Sequence, residues 1–122
     1  MAHTILHQPV MVQIVQRTTP AVGIRHAVYP VPRHLKTDLL TELLRAQGVT
    51  SVLVFVRTKH GASRLAQTLE HRGFRLSVLH GDRSQSQRLH ALEQFRHGRN
   101  QVMVATDIAA RGIDIEDISH VI

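Results

Sequence analysis

VATDIAARGIDI occupies residues 104–115 and decides the fold. Apolar residues 102–105 have the character of a buried strand, which ends abruptly at polar Thr106. One short helical step later the chain carries Arg111, Gly112 and Asp114. A hydroxyl, a bare backbone and two charged groups therefore stand together at the carboxyl end of a strand, which is where open α/β sheets bind ligands.

These groups suit a polyanion with a sugar beside it. Thr106 and Arg111 can bind phosphate oxygens, and Gly112 permits close approach of a ligand. Asp114 can accept a hydrogen bond from a ribose hydroxyl. The spacing alone equally fits a strand followed by a capped turn, with Arg111 and Asp114 forming a surface ion pair.

Strand-like and helix-like segments alternate along the rest of the chain. The predicted strands are Ile24–Val31, Ser51–Val56, Phe74–Leu79, Gln101–Ala105 and one beginning within Ser119–Ile122; the predicted helices are Leu35–Gln47, Gly61–Arg72 and Ser84–His97. Residues 51–56 form a nearly continuous β-branched run, typical of a strand buried on both faces. This alternation predicts an α/β fold in which right-handed crossovers build a parallel sheet flanked by helices.

Two further strand ends carry candidate ligand groups. Thr58 and Lys59 follow residues 51–56 and precede a helix, whose free amides favour phosphate. In the other interpretation Thr58 is only a helix N-cap and Lys59 is solvated. His80, Gly81 and Asp82 follow the strand at 74–79, with Asp82 interpreted as a turn former. Arg88, on the next helix, is placed to reach the same edge, unless it forms a salt bridge to Glu93 or Glu116.

The length, charge and residue composition of the chain limit the classes of protein to which it can belong. With 122 residues the chain holds one domain at most, and its net charge of +6 favours a nucleic-acid partner. The chain has no cysteine, and its ten histidines are scattered without a ligand spacing, so we expect no metal site. It shows neither a signal peptide nor a membrane-spanning run, which predicts a cytoplasmic protein without membrane contact.

Three segments resemble the DEAD-box family of ATP-dependent RNA helicases. Residues 104–115 resemble its motif V, residues 52–59 its motif IV, and His80-Gly81-Asp82 followed by Gln85-x-x-Arg88 the block between them. The resemblance ties residues 24–122 to the second RecA-like domain of the family. Residues 57–62 are most similar to the bacterial RhlE-type subgroup.

The resemblance implies the roles of the site residues. The RNA backbone would be held by Thr58, Lys59, Gly81, Arg88, Thr106, Arg111 and Gly112. Asp114 would contact the ribose of ATP or link that site to the RNA site. The partners would be RNA and the first RecA-like domain of the same enzyme, and the function would be the unwinding or remodelling of short RNA duplexes.

Several family motifs are missing from the sequence. It contains no G-x-x-x-x-G-K-[ST] loop, no Asp-Glu-Ala-Asp tetrapeptide and no arginine-rich motif VI. ATP and magnesium would therefore be held mainly by the first domain, and we expect no catalytic residue and no ATPase activity in this chain alone. Residues 1–23 are interpreted as a linker or the tail of a preceding domain. The second domain would be incomplete at its C-terminus, leaving an uncovered edge at 119–122 that favours homodimers or aggregation.

Two alternatives remain at this point. A DNA helicase or translocase of the same superfamily would share the fold and the ligand groups at the strand ends. A flavodoxin-like or regulatory α/β module, with no catalytic or nucleic-acid role, would leave the clustered arginine and threonine side chains without a function.

Overall fold

The computed structural model describes residues 13–14 and 24–122. The chain forms two compact units, Met1–Leu43 and Leu44–Ile122. In the first, strand β1 (Gln13–Ile14) pairs antiparallel with β2 (Ala27–Val28). A 3-10 helix at Arg33–Leu35 then leads into helix α1 (Lys36–Leu44). The linker predicted at 1–23 lies outside the described residues apart from Gln13 and Ile14, so its boundary stays a prediction.

The second unit is an alternation of strands and helices. Its elements are β3 (Val52–Val56), α2 (Lys59–His71), β4 (Leu76–Leu79), α3 (Gln85–Arg96), β5 (Val102–Thr106), the single-turn helix α4 (Asp107–Ala110) and β6 (His120–Val121). The strands form one sheet in the order β4-β5-β3-β6, and every pairing in it is parallel. The predicted parallel sheet flanked by helices is confirmed.

Strand β5 forms the centre of the core. Residues 102–105 are completely buried, because helices cover both faces of the sheet at this strand. Met103 and Ala105 pack with Phe95 of α3 on one face. Val102 and Val104 point to the other face, since successive side chains of a strand alternate, and α2 packs against β5 there.

Strand β3 departs from the prediction that it is buried on both faces. Val52 and Val54 are buried, whereas Phe55 is 40% exposed. Phe55 lies on the face of the sheet where α3 packs mainly against β4 and β5. Here the loop after α4 takes the place of a helix and encloses a small apolar cavity, lined by Leu53, Phe55, Met103, Ala110, Ile113, Ile115 and Ile118.

Local signals set the ends of the helices. Thr58 is the N-cap of α2, and its Oγ1 accepts a hydrogen bond from the Gly61 amide at 2.9 Å. Ser84 caps α3 with a full capping box, in which Gln87 accepts from the Ser84 amide. Gly98 follows α3 with φ of +72°, a conformation that glycine adopts without strain. The sequence pattern Ser84-x-x-Gln87 predicts this capping box, and the structure confirms it.

We expect Ser84→Ala to destabilise the second unit by about 1 kcal/mol, because the amide at the third position of α3 loses its acceptor. Chemical denaturation with helical signal as readout measures the change. Ser86→Ala is the matched control, since the Ser86 hydroxyl contacts only the Ser84 hydroxyl and alanine is the better helix former. Equal losses in both variants would contradict the capping role.

Candidate nucleic-acid interface

The register of the sheet brings three strand ends to one level. Val56 of β3 pairs with Thr106 of β5, and Leu79 of β4 pairs with Ala105. Position 80 therefore stands beside Thr106, and the residues that follow leave the same carboxyl edge of the sheet. We call this edge, with the loops at 57–59, 80–83 and 106–112, the carboxyl edge.

Lys59 and Asp82 join the ends of β3 and β4. The Lys59 Nζ lies 3.0 Å from Asp82 Oδ2 and 3.2 Å from Oδ1. Both side chains are about half exposed, at 47% and 61%. The hydrogen bond and charge of Lys59 lower the pKa of the Asp82 carboxyl below its ordinary value. Asp82 thus lies in a turn, as interpreted, and it also holds the ammonium group at the carboxyl edge.

His80 is a buried histidine at the end of β4, with 8% of its surface exposed. Its Nδ1 accepts a hydrogen bond from the Asp82 amide at 3.2 Å, so Nε2 carries the proton and faces Ser63 Oγ of α2 at 3.3 Å. Burial, followed by the charge of Arg83, lowers the pKa of His80 below 6.5. The neutral ring therefore fastens the turn containing Gly81 to α2.

Arg88 contacts the helix that follows β5. Its Nη2 donates to the Ala109 carbonyl, at the end of α4, at 3.2 Å. The alternative of a salt bridge to Glu93 is wrong, since Glu93 pairs with Arg96 and His97. No ion pair joins Arg88 to Glu116 within the described residues. One guanidinium hydrogen bond leaves further donors for a ligand.

The residues after β5 present their polar groups freely. Thr106 is the N-cap of α4, but its hydroxyl makes no capping hydrogen bond. Arg111 is exposed, and in the described part of the chain its side chain forms no ion pair. The alternative of an Arg111–Asp114 pair is therefore wrong. Gly112 has φ of +80°, which explains the glycine at this position.

Asp114 lies farther along the same loop. Its backbone carbonyl accepts from Arg96 Nη2 at 3.3 Å, while its carboxylate is exposed. A cavity of about 310 Å³ beside it is lined by Arg96, Asp114, Glu116 and Asp117. With three carboxylates and one guanidinium, this cavity offers acceptors to hydroxyl groups and repels phosphates.

The predicted residues thus separate into an assembled set and an outlying one. Thr106 is the last residue of β5, and Arg88 reaches the same edge from α3. The other members of the assembled set follow the ends of neighbouring strands: Thr58, Lys59, Gly81, Arg111 and Gly112. Asp114 belongs to the loop above the apolar cavity. The sequence analysis named His80 only as part of the turn after β4 and missed that its ring is buried. Its place two residues after the apolar Val78, on the same face of the strand, was the available signal.

The described residues contain no cluster of three or more His, Cys, Asp or Glu side chains that could hold a metal ion. Among these same residues no helix is long and apolar enough to cross a membrane.

We expect the His80 ring to titrate below pH 6.5 and stability to fall as the medium becomes acidic. An unfolded histidine takes up its proton near pH 6.5, whereas the folded one resists, so the contribution of neutral His80 is present above that pH and is lost below it. Ring-proton NMR and denaturation at neutral and mildly acidic pH measure both effects. His80→Asn should reduce the acid-induced loss; a ring midpoint at or above pH 6.5 would contradict the assignment.

Comparison with known proteins identifies the family. The helicase conserved C-terminal domain family matches residues 35–122. The DEAD-box ATP-dependent RNA helicase CshA of Geobacillus kaustophilus is 37% identical over 120 residues, 98% of this chain and 26% of that protein. The chain thus spans about a quarter of the length of this curated relative.

Solved structures agree with the sequence match. The E. coli DEAD-box protein SrmB, bound to regulator of ribonuclease activity A, is 43% identical with a TM-score of 0.69, over 72% of this chain and 52% of that one. S. cerevisiae Dbp5 bound to RNA and ADP BeF3 is 41% identical with a TM-score of 0.64, over 70% of this chain and 22% of that one. The RhlE-type subgroup stays a prediction. The chain belongs to the helicase conserved C-terminal domain family, as a RecA-like domain of the DEAD-box type.

Proposed function

We propose that this chain is the RNA-binding C-terminal part of an ATP-dependent RNA helicase that unwinds or remodels short duplexes. The observation that carries the proposal is the common level of three strand ends, with Lys59, Thr106 and Arg111 among the groups that follow them. A hydroxyl, an ammonium and a guanidinium at one edge fit successive phosphates of a strand. RNA-helicase relatives favour RNA over the DNA alternative.

The proposed roles follow from the chemistry of each group. Lys59, Arg88 and Arg111 neutralise phosphates, and Thr58 and Thr106 donate hydroxyl hydrogen bonds to backbone oxygens. Gly81 and Gly112 let the RNA backbone approach closely, since neither has a neighbour within 4 Å of where a Cβ would lie. Such contacts give affinity and orientation and carry little base selectivity.

The proposed ATP site lies mainly on another domain, the first RecA-like domain of the enzyme. The sequence lacks the phosphate-binding loop and the acidic tetrapeptide, so ATP and Mg²⁺ would be held mainly by a first RecA-like domain, with Asp114 contributing an acceptor to the ribose. Closing and opening of the cleft between two such domains would couple hydrolysis to strand separation. Homodimers or aggregation through the uncovered edge at 119–122, a cytoplasmic location and the domain limits 24–122 stay predictions.

We expect Arg111→Ala to weaken binding of this chain to single-stranded RNA about fivefold, because one charge-assisted contact contributes about 1 kcal/mol. The slope of log K against log salt concentration should become shallower by roughly 0.7, the value for one single-strand phosphate. Fluorescence anisotropy with labelled oligouridine and oligoadenine, over a range of salt, measures both quantities, and both sequences should lose affinity alike.

Arg99→Ala is the matched control for this experiment. Arg99 is also exposed, but it precedes β5 and so lies at the opposite edge of the sheet. Its loss should leave the salt slope unchanged. If Arg111→Ala folds normally and keeps the original slope, Arg111 is not an RNA ligand, and equal effects of both variants would indicate only a general charge effect.

We expect this chain alone to show no RNA-stimulated ATP hydrolysis, because its sequence carries no phosphate-binding loop and no acidic tetrapeptide. Phosphate release with and without RNA is the measurement, and a preparation of Arg111→Ala purified in parallel reports contaminating ATPase. RNA-dependent release that disappears with Arg111→Ala would contradict the expectation.

A further inference from the structure

A polar cleft of about 280 Å³ runs along β4, and none of the residues assigned to RNA lines it. One wall is the strand itself, residues 76–78. The opposite wall carries the polar side chains of Arg83, Gln87, His90, Gln94 and Asn100. We call this feature the edge cleft, because β4 is the last strand on its side of the sheet.

The backbone of β4 offers unpaired groups to the edge cleft. In a parallel pair, the N–H and C=O of one residue point to the same side, and successive residues alternate. The Val102 amide donates to the Arg75 carbonyl, so the polar groups of Arg75, Ser77 and Leu79 face β5. Those of Leu76 and Val78 consequently face outward, and in the described chain no further strand pairs with them.

Arg83 supplies an unsatisfied donor. Its Nε is fully buried and has no hydrogen-bond partner, a condition that costs free energy unless a ligand satisfies it. No carboxylate lines the edge cleft, so nothing within its walls neutralises this guanidinium. The cleft therefore favours an anionic group.

The far end of the edge cleft is held in place by hydrogen bonds. Ser77 Oγ donates to the Ala91 carbonyl of α3 at 2.9 Å. Asn100 Nδ2 donates to the same Ser77 oxygen at 2.8 Å. These bonds fix α3 and the following loop against β4, so the cleft exists before any ligand arrives.

We infer that the edge cleft binds an extended acidic segment of a partner protein, which adds a strand beside β4 and places a carboxylate on Arg83. Only a peptide presents alternating N–H and C=O groups at the spacing of Leu76 and Val78. A nucleic-acid backbone offers phosphates to Arg83 but no donors to the strand. The net charge of +6 attracts an acidic segment.

Hydrogen exchange of this chain, with and without a synthetic acetylated peptide of alternating valine and glutamate, tests the inference. Saturating peptide should slow exchange of the Leu76 and Val78 amides, while Ser77 and Leu79 are already protected by β5. The Nε–H resonance of Arg83 should shift at the same time. A valine–lysine peptide and a valine–glutamate peptide with methylated backbone nitrogens should both fail to protect the two amides.

Two variants distinguish a specific contact at Arg83 from a general effect of positive charge. Arg83→Gln should weaken the valine–glutamate peptide about tenfold, the loss expected for one charge-assisted bidentate contact. Arg75→Gln, at an exposed arginine outside the edge cleft, should leave affinity within about twofold. If Arg83→Gln does not fold, the methylated peptide on the unaltered chain still decides.

Three results would overturn the inference. One is equal protection by the glutamate and lysine peptides, and another is protection that survives backbone methylation. The third is protection of Leu76 and Val78 by oligouridine with no effect of the glutamate peptide, which would assign the edge cleft to nucleic acid.

Discussion

The parallel pairing of β5 with β3 on one side and β4 on the other places the candidate phosphate ligands of three strand ends at the carboxyl edge. Val56, Thr106 and the residue after Leu79 stand at one level because the register is fixed along the buried strand. Residues 102–105 are completely buried, and a shift of one residue would turn their side chains to the opposite faces. The core that stabilises β5 therefore also sets the spacing of the candidate phosphate ligands.

The turn after β4 shows how weak contacts prepare this edge without blocking it. Neutral His80 holds the Asp82 amide, and Asp82 in turn holds the Lys59 ammonium. Exposed ion pairs contribute little to stability, so a phosphate can replace the Asp82 carboxylate at small cost. The buried imidazole keeps the backbone of the turn in place during that exchange. Under the proposed function, Lys59 would thus be positioned before RNA arrives and would remain available to it.

Local sequence patterns predicted the helices and strands, but they did not predict the side-chain contacts between residues far apart in the sequence. The capping box at Ser84 and the apolar run before Thr106 involve neighbouring residues, so the sequence alone indicated them. The partner of Arg88 is a carbonyl 21 residues away, and that of Lys59 is a carboxylate 23 residues away. Such pairs depend on the strand order, with β5 between β3 and β4, and periodicity does not specify that order.

Family motifs and geometry also contributed differently to the site. The motif resemblance placed Arg111 and Asp114 in one motif. In the structure the Arg111 guanidinium forms no ion pair among the described residues, and the Asp114 carboxylate lies apart from it, beside an acidic cavity. The exposure of Phe55 was equally hidden, because a β-branched run does not reveal whether a helix or a loop covers the second face. The burial of the His80 ring and the missing hydrogen-bond partner of Arg83 Nε could be recognised only from the structure.

The positions of the aromatic side chains in the second unit explain why its candidate interface fits the sugar–phosphate backbone of a nucleic acid and does not read its bases. Reading unstacked bases requires exposed aromatic faces, and residues 44–122 contain three phenylalanines with neither tyrosine nor tryptophan. Phe95 is buried in the core, Phe74 lies under the Arg45 guanidinium at 5.3 Å, and Phe55 lines the apolar cavity. The candidate ligand groups of the carboxyl edge are hydroxyl, ammonium and guanidinium groups and close-approach glycines, all of which fit phosphates and sugars. Contacts of this kind fit the proposed remodelling of short RNA duplexes, since they hold a strand without selecting its bases.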